Sequence, residues 1–217
     1  MNTFSDITPK VLLLIAEKRE LAPLFKNNFK KISSRFYKGK MNHKEIGIFI
    51  TGVGKQSIKK SVKNINNLNF KPDQIINVGN VGSLFFLRSG TIIKIGSVLG
   101  ENGKKNILLE SNTFQLVTVK KFQKKEKIKE QYPQADFVDM ELYYLIKYLP
   151  QFKIQSYKII LDTLKYEPNT LLFKIFLSFK IHRNAKKISN FLTFLFYNAI
   201  GKLDRKKRSK ISAKQIE

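Results

Sequence analysis

The sequence predicts an α/β fold, a three-layer domain with a central mixed, mostly parallel sheet flanked by helices. Three observations predict it. Predominantly apolar runs of strand length recur at 11–16, 45–51, 74–78 and 156–161, the pattern of strands buried on both faces. Segments with apolar residues every three or four positions follow the first two of these runs. Glycines cluster where the second and third runs end, and strands alternating with helices are the signature of layered α/β domains.

The first run, VLLLIA, leads into EKRELAPLFKNNF, where Leu21, Leu24 and Phe25 fall at helical spacing. The second, EIGIFIT, ends in Gly52-Val53-Gly54 and is followed by a helix carrying Ile58, Val62 and Ile65 on one face. Lys71-Pro72-Asp73 punctuates the chain before the third strand, QIINV, which runs into an expected turn at Gly79-Asn80-Val81-Gly82-Ser83. TIIKIGSVLG reads as β, and NILLE and FQLVTV as two further strands around a turn at Ser111-Asn112. The polar segment KKFQKKEKIKEQYPQ reads as a loop and short helix. An apolar helix is predicted over 138–149, closed by Pro150, and SYKIIL is the last strand, with Asp162 just past its carboxyl end.

Beyond Pro168, Leu171, Leu172, Ile175, Phe176 and Phe179 form a stripe with Lys174, Ser178, Lys180 and Arg183 off it, predicting an amphipathic helix. A second apolar stretch, 188–200, reaches ~20 Å as a helix, short of the ~30 Å hydrocarbon core of a bilayer. The expected organisation is an α/β domain over 1–165, amphipathic helices over 166–200 that complete it, and a basic tail over 201–217.

Composition bounds the function. The 217 residues include 41 Lys and Arg against 16 Asp and Glu, a formal charge of +25 and a pI near 10.1, a field that attracts anions without naming one. The chain has no cysteine and two histidines, which excludes disulfides, thiolate zinc sites and a cysteine nucleophile, and no metal site is expected. The segment MNTFSDITPK does not lead from a basic stretch into a cleavable apolar one, so the cytoplasm is the expected location.

Gly52-Val53-Gly54-Lys55 stands between strand and helix, where amides at a helix start can receive an anion or a sugar hydroxyl. It meets neither the dinucleotide fingerprint, which wants glycine where Ser57 stands, nor the P-loop, which wants Ser or Thr where Gln56 stands. A tight structural turn is the competing reading. Four acids stand out by position: Glu20, Asp139, Glu141 and Asp162. Singly, the first three read as helix-dipole partners or as part of a solvated face. Converging on one sheet edge, they suit acid and base work on a group leaving a sugar.

Four ordered blocks then carry a resemblance: Ala16-Glu17-Lys18-Arg19-Glu20-Leu21, Thr51-Gly52-Val53-Gly54-Lys55, Ile75-Ile76-Asn77-Val78-Gly79-Asn80-Val81-Gly82-Ser83-Leu84 and Val138-Asp139-Met140-Glu141. Over roughly 11–165 their order and spacing resemble the nucleoside phosphorylase family, most of all the 5′-methylthioadenosine/S-adenosylhomocysteine nucleosidase branch. Lys71-Pro72-Asp73 and Tyr132-Pro133-Gln134-Ala135 resemble it too. The resemblance implies cleavage of a purine nucleoside at its N-glycosidic bond, no cofactor, and a homodimer. It implies that Glu20 activates the attacking water and Asp162 protonates the leaving purine. Glu141 would hold the ribose hydroxyls, Met140 lie under the ribose, and Asn80 and Gly82 contact the nucleoside. Phe122 and Gln123 fall near the segment that stacks on the base, and Gly52 and Gly54 in the phosphate or sugar loop. The chain departs from the pattern at Glu17, at Leu161 before the acid, and at Val119-Lys120-Lys121.

Three alternatives stay open. One is a phosphate-dependent phosphorylase, using Arg19, Arg35 or Arg88. Another is a non-catalytic nucleoside-binding protein of the same fold. The third places Lys174, Lys180, Arg183, Lys186 and Lys187, beside Phe191, Phe194 and Phe196, on an anionic membrane surface. Nucleic acid is disfavoured as a partner, since no recognised module accompanies the charge.

Overall fold

The computed structural model describes residues 8–26, 29–85, 87–100, 103, 106–109, 114–121, 123–162 and 178–196. The chain runs β1 (Lys10–Ile15), two short 3₁₀ turns (Lys18–Leu21 and Leu24–Lys26), β2 (Phe29–Lys31), β3 (Phe36–Met41), β4 (Lys44–Ile50) and α1 (Gly54–Asn66). It continues through β5 (Gln74–Ser83), β6 (Ile92–Leu99), β7 (Asn106–Leu108), β8 (Phe114–Thr118), α2 (Lys125–Gln131), β9 (Phe137–Asp139), α3 (Leu142–Tyr148) and β10 (Ile154–Asp162). A C-terminal helix follows over 178–196.

The ten strands among the described residues join one mixed sheet. β1 lies between β4 and β5, parallel to both, and β3 and β2 extend the wing beyond β4 antiparallel. β5 is long enough to serve two partners along one edge: β1 pairs with its first half and β9 with Gly82 and Ser83. β10 runs along its other edge. Because β10 then pairs with β6, β6 with β8, and β8 with β9, these five strands close on themselves. Five ladders are parallel and five antiparallel among the described residues. The α/β class and mixed sheet therefore match expectation, while the sheet is evenly mixed, since the hairpin of β3 and β4, β2 and β7 add antiparallel ladders.

The unbroken apolar run of β1 has a direct cause in packing. Leu12 and Leu14 pack with Ile58 and Ile65 of α1 and Leu142 and Leu145 of α3. Val11, Leu13 and Ile15 point the other way, into a core with Ile188, Leu192 and Phe196 of the C-terminal helix. Helices thus cover this part of the sheet on both faces, and alternation disappears from the sequence.

Three elements differ from expectation. The helix expected after β1 is two 3₁₀ turns, and Pro23, which has no N–H to donate, stands between them. The stretch 79–83 is not a turn but the second half of β5, held by β10 through Gly79↔Lys158 and Asn80↔Ile159. Residues 137–139 form β9, so Asp139 ends a strand and α3 begins only at Leu142. Phe176 and the rest of the predicted stripe before Ser178, the basic tail and Phe122 lie outside the described residues. No helix among the described residues is long and apolar enough to cross a membrane.

Candidate functional site

The site forms where β1, β5 and β10 end together. At the end of β1 the chain turns sharply through Lys18–Leu21 and carries Glu20 back over the sheet, leaving it 5% exposed. Four N–H donors meet its carboxylate. Oε2 accepts from the backbone N–H of Ala16 at 2.9 Å and of Glu17 at 3.2 Å. Oε1 accepts from the Asn80 backbone N–H at 3.2 Å and from Asn80 Nδ2 at 2.9 Å. Burial raises the Glu20 pKa, against the lowering influence of the Asn80 and Glu17 bonds and of the Lys158 charge.

Gly79 makes this placement possible. A Cβ there would stand 3.3 Å from Glu20 Oε1 and 3.5 Å from Lys158 Nζ, so the absence of a side chain lets the acid and the cation cross the strand closely.

Lys158 is 2% exposed, and its Nζ lies 2.9 Å from Asp139 Oδ2. Burial disfavours its charge, but the charges of Asp139 and Glu141 and the Asp139 bond outweigh that, and its pKa is raised. Asp139 is saturated: it also accepts from Thr118 Oγ1 at 2.7 Å and from the backbone N–H groups of Glu141 at 3.3 Å and Leu142 at 3.1 Å. Its work is to hold Lys158 and the start of α3.

Glu141 stands at the N-cap of α3. Its Oε1 accepts from the Gly54 N–H at 3.2 Å and its Oε2 from the Met140 N–H at 3.3 Å. Burial, then the Asp139 charge, push its pKa up to about 8. Gly52 and Gly54 both have φ near +80°, where glycine is favoured. This bends the loop so that the Gly52 N–H meets Ala16 O at 3.0 Å and the Gly54 N–H faces Glu141.

Glu20, Asn80, Gly82, Met140 and Glu141 line one cavity, together with Glu17, Arg19, Val53, Leu161 and Ile181. The sequence-predicted residues from three separate segments are therefore brought together. Gly82 and Met140 also border a smaller adjoining cavity with Gln123, whose Oε1 is buried with no hydrogen-bond partner among the described residues. Asp162 is the last residue of β10, paired with Gly82; of Asp162 the structure describes the backbone alone. Val53, rather than Gly52 or Gly54, forms the loop's contribution to the wall. Of the three arginines, Arg19 lines the cavity, where it pairs with Glu17. Arg35 instead donates to Ser61 Oγ at 3.0 Å and Thr51 O at 3.5 Å, behind the loop.

Sequence reasoning missed Lys158. Its signal was a lysine inside the apolar strand SYKIIL, which a buried carboxylate partner alone makes tolerable. The result is a basic chain with an acidic centre: three carboxyl groups, Glu20, Asp139 and Glu141, surround one ammonium.

No protein-family model and no curated protein matches the sequence. Solved structures do. The chain superposes on the 5′-methylthioadenosine/S-adenosylhomocysteine nucleosidase of Neisseria meningitidis in complex with methylthio-immucillin-A, with TM-score 0.68, 19% identity and coverage of 85% of this chain and 98% of that one. With the S-adenosylhomocysteine nucleosidase of Streptococcus pyogenes in complex with 5-methylthiotubericidin the TM-score is 0.70 at 18% identity, covering 89% and 98%. With the futalosine hydrolase of Helicobacter pylori it is 0.67 at 18% identity, covering 85% and 97%. The chain has the fold of these nucleosidases.

Proposed function

We propose that this chain is a purine nucleoside N-glycosidase that works by hydrolysis on a nucleoside of the methylthioadenosine or S-adenosylhomocysteine type. The observation that carries the reading is the buried Glu20 carboxylate, held by four N–H donors and sharing a cavity with the Met140-Glu141 pair. The structural neighbours with bound nucleoside analogues support the substrate class.

Breaking an N-glycosidic bond builds positive charge on the sugar and negative charge on the base. In this reading Glu20 takes a proton from the attacking water. Glu141 receives the ribose hydroxyls on the lone pairs that Gly54 and Met140 leave free. Met140 supports the ribose, Asn80 and Gly82 border it, and Asp162 delivers the proton to the leaving purine from the end of β10. Gln123 and Phe122 are assigned the role of contacting the base, and the active unit is a homodimer.

Hydrolysis is favoured over phosphorolysis by two contacts. The Gly54 amide at the start of α1 already faces the Glu141 carboxylate, and Arg35 is engaged with Ser61 and Thr51. An incoming phosphate meets competition at both places. The membrane reading is weakened, since Phe196 is 1% exposed and Phe191 packs against the same core. Phe179 and Phe194, at 69% and 65%, remain outward on the C-terminal helix.

The test is release of free base from a panel of purine nucleosides, with and without phosphate. Release without phosphate is expected, and Glu20→Gln should lose about 10²- to 10⁴-fold in kcat, the usual contribution of a general base. A wild-type protein that binds no nucleoside at high ligand concentration overturns the reading.

A further inference from the structure

We infer that Asn184, on the C-terminal helix, is a positioning residue for Glu20: acting through Asn80, it determines which end of a carboxamide faces the Glu20 carboxylate. The catalytic part of this inference rests on the nucleosidase reading above.

Donor and acceptor chemistry fixes the orientation of both carboxamides. Asn184 is fully buried. One end of its side chain lies 3.3 Å from the carbonyl oxygen of Ile160 and 3.3 Å from the Asn80 side chain. The Ile160 carbonyl can only accept, so the Asn184 atom facing it is the amide nitrogen, Nδ2. The same Nδ2 then requires an acceptor from Asn80, which turns Asn80 Oδ1 toward Asn184 and Asn80 Nδ2 toward Glu20. There Asn80 Nδ2 meets Glu20 Oε1 at 2.9 Å. A backbone carbonyl of β10 thus sets two carboxamides in series, and the second offers Glu20 a donor.

A second observation marks Asn184 as more than packing. Its Oδ1 is buried and has no hydrogen-bond partner among the described residues. An orphaned buried acceptor destabilises the fold, and an apolar side chain of similar size would fill the same space without one. What leucine cannot do is orient Asn80. Ile181, one turn earlier on the same helix, lines the cavity, so the helix supplies both a wall and this orientation.

An amide donor favours the ionised form of a carboxyl group, whereas an amide oxygen in the same place is satisfied only by the protonated form. With Asn184 removed, Asn80 is free to turn its oxygen to Glu20, and Glu20 holds its proton to higher pH. The other charged groups facing Glu20 are Lys158 from β10 and Glu141 at the start of α3, with Asp139 paired to Lys158. Glu17 and Arg19 flank it on its own turn. None of these is altered by changing Asn184.

The experiment uses the full chain labelled with ¹³C at glutamate side-chain carboxyls, the Glu20 signal being identified by its absence in Glu20→Gln. Wild type, Asn184→Leu and Asn184→Ala are titrated by NMR, with thermal melts confirming native cooperativity. The Glu20 midpoint is expected to rise by about half a pH unit or more in the variants, the size of a lost side-chain bond to a carboxylate. The acid limb of kcat should move with it, while KM stays within about twofold. An unchanged Glu20 midpoint in either variant that melts cooperatively overturns the inference, as does an equal loss in kcat and KM with no movement of the pH profile. If the wild type releases no base from any nucleoside, the nucleosidase reading fails while the titration still decides the role of Asn184.

Discussion

Glu141 joins a helix start, a glycine loop and a buried charge cluster through one side chain, and its proton has a thermodynamic consequence. Its ordinary value of 4.5 is raised to about 8 in the folded chain, by burial and then by Asp139. The native state therefore keeps a proton that the unfolded state has released. The stability this confers is complete below about pH 4.5 and is lost as pH rises toward about 8, with a slope of at most ~1.4 kcal/mol per pH unit for one proton. Glu20, shifted in the same direction, adds to it. The melting temperature should fall between pH 5 and pH 8, and Glu141→Gln should flatten that decline; equal slopes in the two proteins would contradict the assignment. Lys158 makes a second case. Removing its ammonium in Lys158→Met strands Asp139 in the interior, a loss of about 3–5 kcal/mol. Adding Asp139→Asn should recover part of it in a double-mutant cycle read by urea unfolding.

Elements show what periodicity reveals and what it conceals. β1, β4, α1 and β10 were legible because each is buried in a way that writes a simple pattern, either a continuous apolar run or a 3.6-residue repeat. β3 was not, since its sequence FYKGKM is half lysine and glycine, and its turn to β4 uses Asn42-His43 rather than a glycine pair. Both turn residues have positive φ, 45° and 49°, the geometry of a two-residue hairpin. His43→Gly should relieve the strain of the second position and raise stability by up to ~1 kcal/mol, measured by thermal melt; a lower melting temperature would oppose this. The second half of β5 was misread as a turn because glycine in a strand looks like a break. At Gly79 it marks instead the close approach of Glu20 and Lys158. Gly79→Ala places a Cβ 3.3 Å from Glu20 Oε1, so the fold should survive while the carboxylate shifts by a few tenths of an ångström and kcat falls about tenfold or more. Candidate residues Glu20, Met140 and Glu141 were legible through ordered blocks, whereas Lys158 and Asn184 belong to no block. Their meaning comes from partners distant in sequence.

The whole molecule combines an acidic centre with a strongly basic exterior. Self-repulsion of a formal +25 weakens the compact state, and salt at ~0.1–0.15 M shortens its reach to about 8–10 Å. The melting temperature should accordingly rise from low salt to physiological salt, and a salt-independent melt would show that the charge is locally compensated. The C-terminal helix ties the far face of the sheet to the site, with Leu192 fully buried against β1. Leu192→Ala should cost ~2–5 kcal/mol. The closed circuit of β5, β10, β6, β8 and β9 gives the molecule an internal clock for solvent access. Strands bonded on both sides release their amide hydrogens only when the circuit opens, while β2 lies at the open edge beyond β3. In deuterated solvent, amides of β5 and β10 should persist longest and those of β2 vanish first. The platform under Glu20 and Lys158 would then be the last part of the protein to exchange.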